Sequence, residues 1–286
     1  MIIASRKSKL AQIQTDIVID IIKKNYDIDC KKLFIETEGD LKLDVSLEKI
    51  GGKGVFVKDI EILLANKIAH AAVHSMKDVP FALESIFEIA AIPVRGDVRD
   101  AFVSEDNRNF YELKNGAKVG TSSNRRAAQI KLIRPDIEIV PLRGNVLTRI
   151  DKIKGEGMDG IILAAVGLKR LGLESKISNY FNPLEFIPAV GQGAIGIEVI
   201  SESEHAQFFR KLDCVDVRIC VECERSFMRK LNGDCHTAIG AYATTQGNLM
   251  NVVGIFQVGS TLVKKDVTGP KEDYIRLGEM LAEKMR

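Results

Sequence analysis

Two spacings of apolar residues alternate along this chain. The opening "MIIAS" is a short apolar run that predicts a strand, and Lys9–Lys24 puts Leu10, Ile13, Ile17 and Ile21 on one helical face. "KKLFIET" reads as the next strand, Lys58–Asn66 as a helix and "IAHAAVHS" as a strand. Strands that take turns with helices predict βαβ units and an α/β fold with mostly parallel, twisted sheets.

The pattern then repeats. "IIASRKSKLAQIQ" (2–14) resembles "VGTSSNRRAAQIK" (119–131): a strand, a Ser-plus-Arg loop, and a helix opening on Ala-Gln-Ile. "VKDIEILLANKIAHAAVHSMKDVP" likewise resembles "LTRIDKIKGEGMDGIILAAVGLKR". Self-similarity on this scale predicts two lobes of one design. The stretch 93–103 reads as the crossover between them and 183–199 as the return. The expected division is a first lobe at 1–95 and 192–213, a second at 99–188, and a small third α/β domain at 216–286. Open α/β sheets bind ligands beyond the carboxyl ends of their strands, which directs attention to the Ser/Arg loops.

A length of 286 residues accommodates two or three domains. A net charge of +2 gives no support for a nucleic-acid or bulk membrane partner, so any basic site is local. The first residues meet charge at Arg6 without an apolar h-region, so no signal peptide is expected. No apolar run reaches the length of a membrane span. Five cysteines, an odd count in a chain that needs no staples, fit a reduced, cytoplasmic compartment.

The local basic site stands out at "GTSSNRRAAQIK". From Val119 to Arg149 there are six Lys/Arg against two Asp/Glu. Arg125 and Arg126 sit where a helix begins, although the positive end of the helix dipole disfavours cations. Either the pair points into water or it faces an anion. The anion reading is preferred, because Thr121, Ser122 and Ser123 add hydroxyls and the free N–H groups of the helix start point the same way. Arginine forks match a carboxylate or phosphate. Arg6 and Ser8 hold the equivalent place in the first repeat.

"HSMKDVP" follows an apolar strand. Alternation puts Ser75 and Lys77 on one side, with Asp78 at the carboxyl end. A Ser/His hydrolase lacks its G-x-S-x-G elbow; a Schiff-base lysine and a plain Lys–Asp ion pair stay open. "GQGAIG" (191–196) matches the dinucleotide fingerprint by letter but precedes a strand, "IGIEVI", rather than a helix, so no nucleotide site is expected. "GGKG" (51–54) reads as a mobile loop, with Lys53 within reach of a cleft that two facing lobes would form between their Ser/Arg loops. Cys220 and Cys223 are spaced C-x-x-C inside a helical run, against zinc, and no metal is expected. Cys235 sits in a turn, "NGDCHT", where a thiol is inert, a redox liability or a point of covalent attachment.

Taken in order, "HSMKDVP", "GTSS.RR", "LRGNV.TR", "ILA..GLKR" and "VGQGA.GIE", with "GGKG.FVK" before and a Cys turn after, resemble the porphobilinogen deaminases, or hydroxymethylbilane synthases. The resemblance implies two lobes like those of periplasmic binding proteins and a third, cofactor-carrying domain. It implies a transferase that condenses four porphobilinogens head to tail, losing ammonia each time, to give hydroxymethylbilane for haem and porphyrin synthesis. A dipyrromethane cofactor would be held by a thioether to Cys235. Lys77, Ser75, Thr121, Ser123, Arg125, Arg126 and Gln192 would bind that cofactor. Arg6, Ser8, Lys53, Lys58, Arg143, Arg149 and Arg170 would bind substrate carboxylates, and Asp78 would be the catalytic carboxylate. A monomer is the family expectation. The chain departs from the family in Asp234 before Cys235, and in Thr237-Ala238 where a proline is usual. The rival reading is a non-catalytic two-lobed binder of a small anion; a sulfate- or phosphate-sensing regulator is disfavoured, because no helix-turn-helix is evident.

Overall fold

The apolar runs resolve into three sheets in a computed structural model, which describes residues 1–37, 57–233 and 237–286. Lys53 and Cys235, with the turn residue Asp234, lie outside the described residues. In chain order the first half holds β1 (Ile2–Arg6), α1 (Lys9–Tyr26), β2 (Lys31–Ile35), α2 (Lys58–Ala65), β3 (Ala71–Ser75), β4 (Phe87–Arg95), β5 (Asp100–Val103), β6 (Lys118–Gly120) and α3 (Asn124–Ile133). There follow β7 (Glu138–Val140), α4 (Val146–Gly155), β8 (Gly160–Ala164), α5 (Ala165–Arg170), β9 (Asn179–Tyr180), β10 (Ala194–Ile200) and α6 (Ala206–Arg210). The last elements are α7 (Val215–Lys230), β11 (Ile239–Gln246), β12 (Leu249–Val258), β13 (Thr261–Pro270) and α8 (Tyr274–Glu283).

One compact unit comprises Met1–Gly96 and Gly191–Ile219. Its sheet has the order β2-β1-β3-β10-β4, in which only β10 is reversed. Both faces are covered. Ile3, Val73, Ile195 and Ile197 pack with Val18 and Ile22 of α1 on one side. Ala4 and Ala72 pack with Ile60 and Leu64 of α2 on the other. Successive strand residues therefore serve opposite cores, and such strands read as unbroken apolar runs.

The second unit comprises Asp97–Val190 and Cys220–Arg286. Its larger sheet, β7-β6-β8-β5-β9, repeats the design, again with one reversed strand, β5. Phe102, Val119 and Ile162 face one core, and Val103, Ile161 and Leu163 face the other. The C-terminal sheet is an antiparallel meander, β11-β12-β13. The α/β class with one minority strand per large sheet agrees with the sequence pattern.

Two local expectations need correction. The most buried stripe of α1 is Ala11, Gln14, Thr15, Val18 and Ile22, whereas Leu10, Ile13, Ile17 and Ile21 are only half-buried. Gln14 and Thr15 can lie in that stripe because Gln14 bonds Ser75 and Thr15 Oγ1 donates to Ala11 O at 2.9 Å. The alternation through "HSMKDVP" also stops early. β3 ends at Ser75, and Met76–Asp78 form a 3₁₀ turn, so Lys77 is not a strand position.

Candidate functional site

In the first unit the candidate residues gather at the carboxyl ends of β1 and β3. Arg6 closes β1, and Ser8 caps α1 with its Oγ accepting from Ala11 N at 3.3 Å. Gln14 Nε2 donates to Ser75 Oγ at 2.8 Å, which ties the first helix to the end of β3. Met76 then turns inward and is 1% exposed, leaving Lys77 half-buried and Asp78 exposed. Met76 fits because two glycines make room. A Cβ at Gly196 would lie 2.3 Å from Met76 Sδ, and one at Gly191, whose φ is +69°, would lie 3.0 Å from Met76 Cβ. The glycines of "GQGAIG" thus seat the turn that presents Asp78. Gln192 between them is fully buried, and its carbonyl accepts from Arg95 Nε at 3.0 Å.

Beneath that turn lies a buried acid–base pair that sequence reading passed over. His74 Nε2 and Glu198 Oε2 are 2.9 Å apart, and the other oxygen of Glu198 has no hydrogen-bond partner among the described residues. Glu61 of α2 is half-buried, and burial together with the charge of Glu198 pushes its carboxyl up to about 7. Glu61 and Lys58 line a cavity with Pro80, Phe81 and Glu84; Asp78 is not in its wall. The signal available in sequence was a glutamate within the apolar run "AIGIEVI".

In the second unit the loop after β6 holds Thr121, Ser122 and Ser123. Ser123 caps α3 by accepting from Arg126 N at 3.4 Å, and Thr121 Oγ1 accepts from Ser123 N at 3.2 Å. Arg149 Nε donates to Gly144 O at 2.7 Å, closing the turn that carries Arg143. Arg170 ends α5, where burial lowers its guanidinium to about 10.

The paired arginines are not on the surface. Arg125 and Arg126 are 5% and 6% exposed, and both bond Asp100 at the start of β5. Arg125 Nη1 lies 2.7 Å from Asp100 Oδ2, while Arg126 donates through Nε at 3.1 Å and Nη2 at 2.8 Å to Asp100 Oδ1. The sequence left water or an external anion as answers to these cations; the chain itself supplies a further partner, Asp100. The two guanidiniums hold that carboxyl well below the usual aspartate range despite its burial. Two cations against one carboxylate still leave an excess positive charge at a capped helix N-terminus. The remaining charge has the sign that carboxylate side arms require, while Arg126 Nη1 is itself taken by Ile162 O at 2.9 Å. Asp100 was legible only as a charged residue heading the buried run "DAFV".

Comparison with known families separates the readings. The family described as porphobilinogen deaminase, dipyromethane cofactor binding domain, matches residues 1–207, and the porphobilinogen deaminase C-terminal domain matches 218–286. The chain belongs to the porphobilinogen deaminase family. It is 60% identical over 283 residues to the porphobilinogen deaminase of Clostridium kluyveri, covering 99% of this chain and 98% of that protein. It is 59% identical over 285 residues to that of Clostridium perfringens, covering 100% and 98%. Among solved structures, immunogenic lipoprotein A from Vibrio vulnificus aligns with 78% of this chain and 98% of its own, at a TM-score of 0.46 and 10% identity. No shared function follows from so loose a likeness.

Of the four described cysteines, Cys30, Cys220 and Cys223 are poor candidates for covalent attachment. Burial pushes the thiols of Cys30 and Cys223 up, and Cys220 is buried beside Cys223 on α7. A Cβ at Gly278 of α8 would lie 2.2 Å from the Cys223 carbonyl, so the two helices cross in close contact there.

Proposed function

We propose that this chain carries out the porphobilinogen deaminase reaction with Asp78 as its catalytic carboxylate and Cys235 as the attachment point of its cofactor. Family membership gives the activity: a transferase of tetrapyrrole biosynthesis that builds hydroxymethylbilane from four porphobilinogens with loss of ammonia. The dipyrromethane cofactor, when bound, supplies the pyrrole carbon on which the chain grows. The observation that carries the residue assignment is the exposed Asp78 on a turn held rigid by buried Met76.

The protein's own groups divide the work. As a substrate loses its amine, positive charge spreads onto its pyrrole nitrogen. A fixed carboxylate at Asp78 stabilises that charge more than the neutral ground state, which lowers the barrier. Asp78 also moves protons to the leaving amine and off the new bond. Arg6, Ser8, Lys58, Arg143, Arg149 and Arg170, with Lys53 of the undescribed stretch, take substrate acetates and propionates. Lys77, Ser75, Gln192, Thr121, Ser123 and the charge-excess pair Arg125 and Arg126 hold the cofactor acids. The three sheets support a three-part division at 1–95 with 192–213, 99–188 and 216–286. A cytoplasmic monomer completes the reading; no helix among the described residues is long and apolar enough to cross a membrane.

Intact mass tests the assignment. The purified chain should exceed its sequence mass by one dipyrromethane, and Cys235→Ser should not. Incubation of the loaded chain with porphobilinogen should yield a linear tetrapyrrole. An unmodified wild-type chain that makes none would refute the reading.

A further inference from the structure

The second unit contains one residue, Ile187, whose backbone N–H and C=O are both bonded by side chains. Ile187 N donates to Gln129 Oε1 at 2.6 Å. Its carbonyl accepts from Gln129 Nε2 at 3.1 Å and from Arg125 Nη1 at 2.6 Å. One face of α3 therefore grips both backbone polar groups of this residue, and Asp100 holds Arg125 in the grip. A side-chain amide that serves as acceptor and donor to one residue fixes its position and its orientation together.

The same residue is the plug of the C-terminal sheet. The Ile187 side chain is fully buried against Val253 and Ile255 of β12, with Tyr242 of β11 and Leu262 of β13 at its rim. β11 comes closer still. A Cβ at Gly240 would lie 2.6 Å from Pro188 O, 2.8 Å from Arg125 Cδ and 3.2 Å from Ile187 O. Two of those three atoms belong to backbone, which has no rotamer by which to yield. Gly240 is here because any side chain would push β11 off the 187–188 segment. Lys264 of β13 adds a bond from Nζ to Leu184 O at 2.6 Å.

We propose that the Ile187 peptide is the registration point that fixes the C-terminal sheet to the arginine-bearing helix α3, with Gln129 and Gly240 as positioning residues for cofactor loading and chain growth. Gly240 follows Cys235 by only five positions in sequence. A strand that begins beside the attachment cysteine is thereby referenced, through one peptide, to the helix whose arginines take the cofactor acids. This inference rests on the proposed function. It adds that loading depends on a contact made by neither the cofactor nor the substrate. A misplacement of about 1 Å at a distance from the chemistry is enough to cost roughly a hundredfold in rate.

The test uses the full chain expressed in cells that make porphobilinogen. Gly240→Ala and Gln129→Met are each compared with wild type by intact mass, by kcat and KM per loaded chain, and by urea midpoint. The expected result is a minority of chains loaded and kcat per loaded chain down by at least about tenfold, with KM for porphobilinogen little changed and the urea midpoint lowered too little to unfold the variant. Hydrogen exchange on wild type should find the Ile187 amide among the slowest of the non-strand amides. Full loading with wild-type kcat in both variants would overturn the proposal, as would losses that merely track the unfolded fraction. If neither variant folds, loading and kcat are read on Lys264→Met, which removes only the bond to Leu184 O: lowered loading upholds the proposal and full loading with wild-type kcat overturns it. An unloaded, inactive wild type would instead overturn the function on which the proposal rests.

Discussion

His74 Nε2 lies 2.9 Å from Glu198 Oε2, both side chains at least 96% shielded from solvent, and the contact ties β3 to the reversed strand β10. His74 sits one residue before Ser75 and four before Asp78, so the contact anchors the strand end from which the Met76–Asp78 turn departs. A buried carboxylate is costly unless it is paired, and here the pairing is with a group on the adjacent strand.

Glu198→Ala leaves His74 without its partner and opens a void in the sheet. A loss of about 3 kcal/mol is expected, in the range for breaking a buried pair. Urea unfolding at neutral pH measures it, and an unchanged midpoint would show that the contact contributes nothing.

Asp100→Asn leaves two buried guanidiniums facing a neutral amide. A loss of about 3 kcal/mol is expected at neutral pH. The Asp100 carboxyl is depressed in the fold, so its contribution is complete above the unfolded aspartate value of about 4 and fades as pH falls below it. The gap between wild type and variant should therefore narrow in acid. Urea midpoints taken from neutral pH down to about pH 3 follow it; a gap that is constant or widens would contradict the assigned pairing.

Asp78→Asn keeps the shape of the exposed turn and removes its charge. Cofactor mass and melting temperature should stay at wild-type values, while kcat falls by a factor on the order of 10² to 10³ or more. Steady-state turnover with porphobilinogen checks this, and normal turnover would remove Asp78 from its role.

Glu61 is raised to about 7, so the folded protein holds a proton there that the unfolded chain has released. Its stabilising share is complete below the ordinary glutamate value and is lost as pH rises through about 7. Glu61→Gln should gain stability relative to wild type between pH 5 and 8, by a modest amount because the carboxyl is half-exposed. Melting curves across that range give the sign, and a relative loss would contradict the burial argument.

Gly191→Ala forces a side chain onto a φ of +69° and against Met76. The backbone strain alone is about 1–2 kcal/mol. Because Met76 seats Lys77 and Asp78, kcat should fall together with stability. A variant destabilised but fully active per folded molecule would show that the seat and the turn are independent.

Much of the frame was legible because burial on both faces of a sheet leaves continuous apolar runs. The strands "IIASR", "AAVHS" and "AIGIEVI", the repeat at 2–14 and 119–131, and the capping residues Ser8 and Ser123 all follow from local pattern. The family motifs likewise named the residues at the strand ends. The end of β3 was misjudged because alternation is a local rule, whereas Met76 turns inward to meet Gly191 and Gly196 from far along the chain.

The sequence by itself determined the α/β alternation, the doubling of one design and the family, since each depends on residue types at short spacing or on motif order. Only the tertiary structure decided what answers the charge of Arg125 and Arg126, because Asp100 reaches them from 25 and 26 positions away. It alone joined His74 to Glu198 across 124 positions and Ile187 to Gln129 across 58. Electrostatic partners act through space, and a linear pattern carries no record of which distant carboxylate or carbonyl the fold will bring into reach.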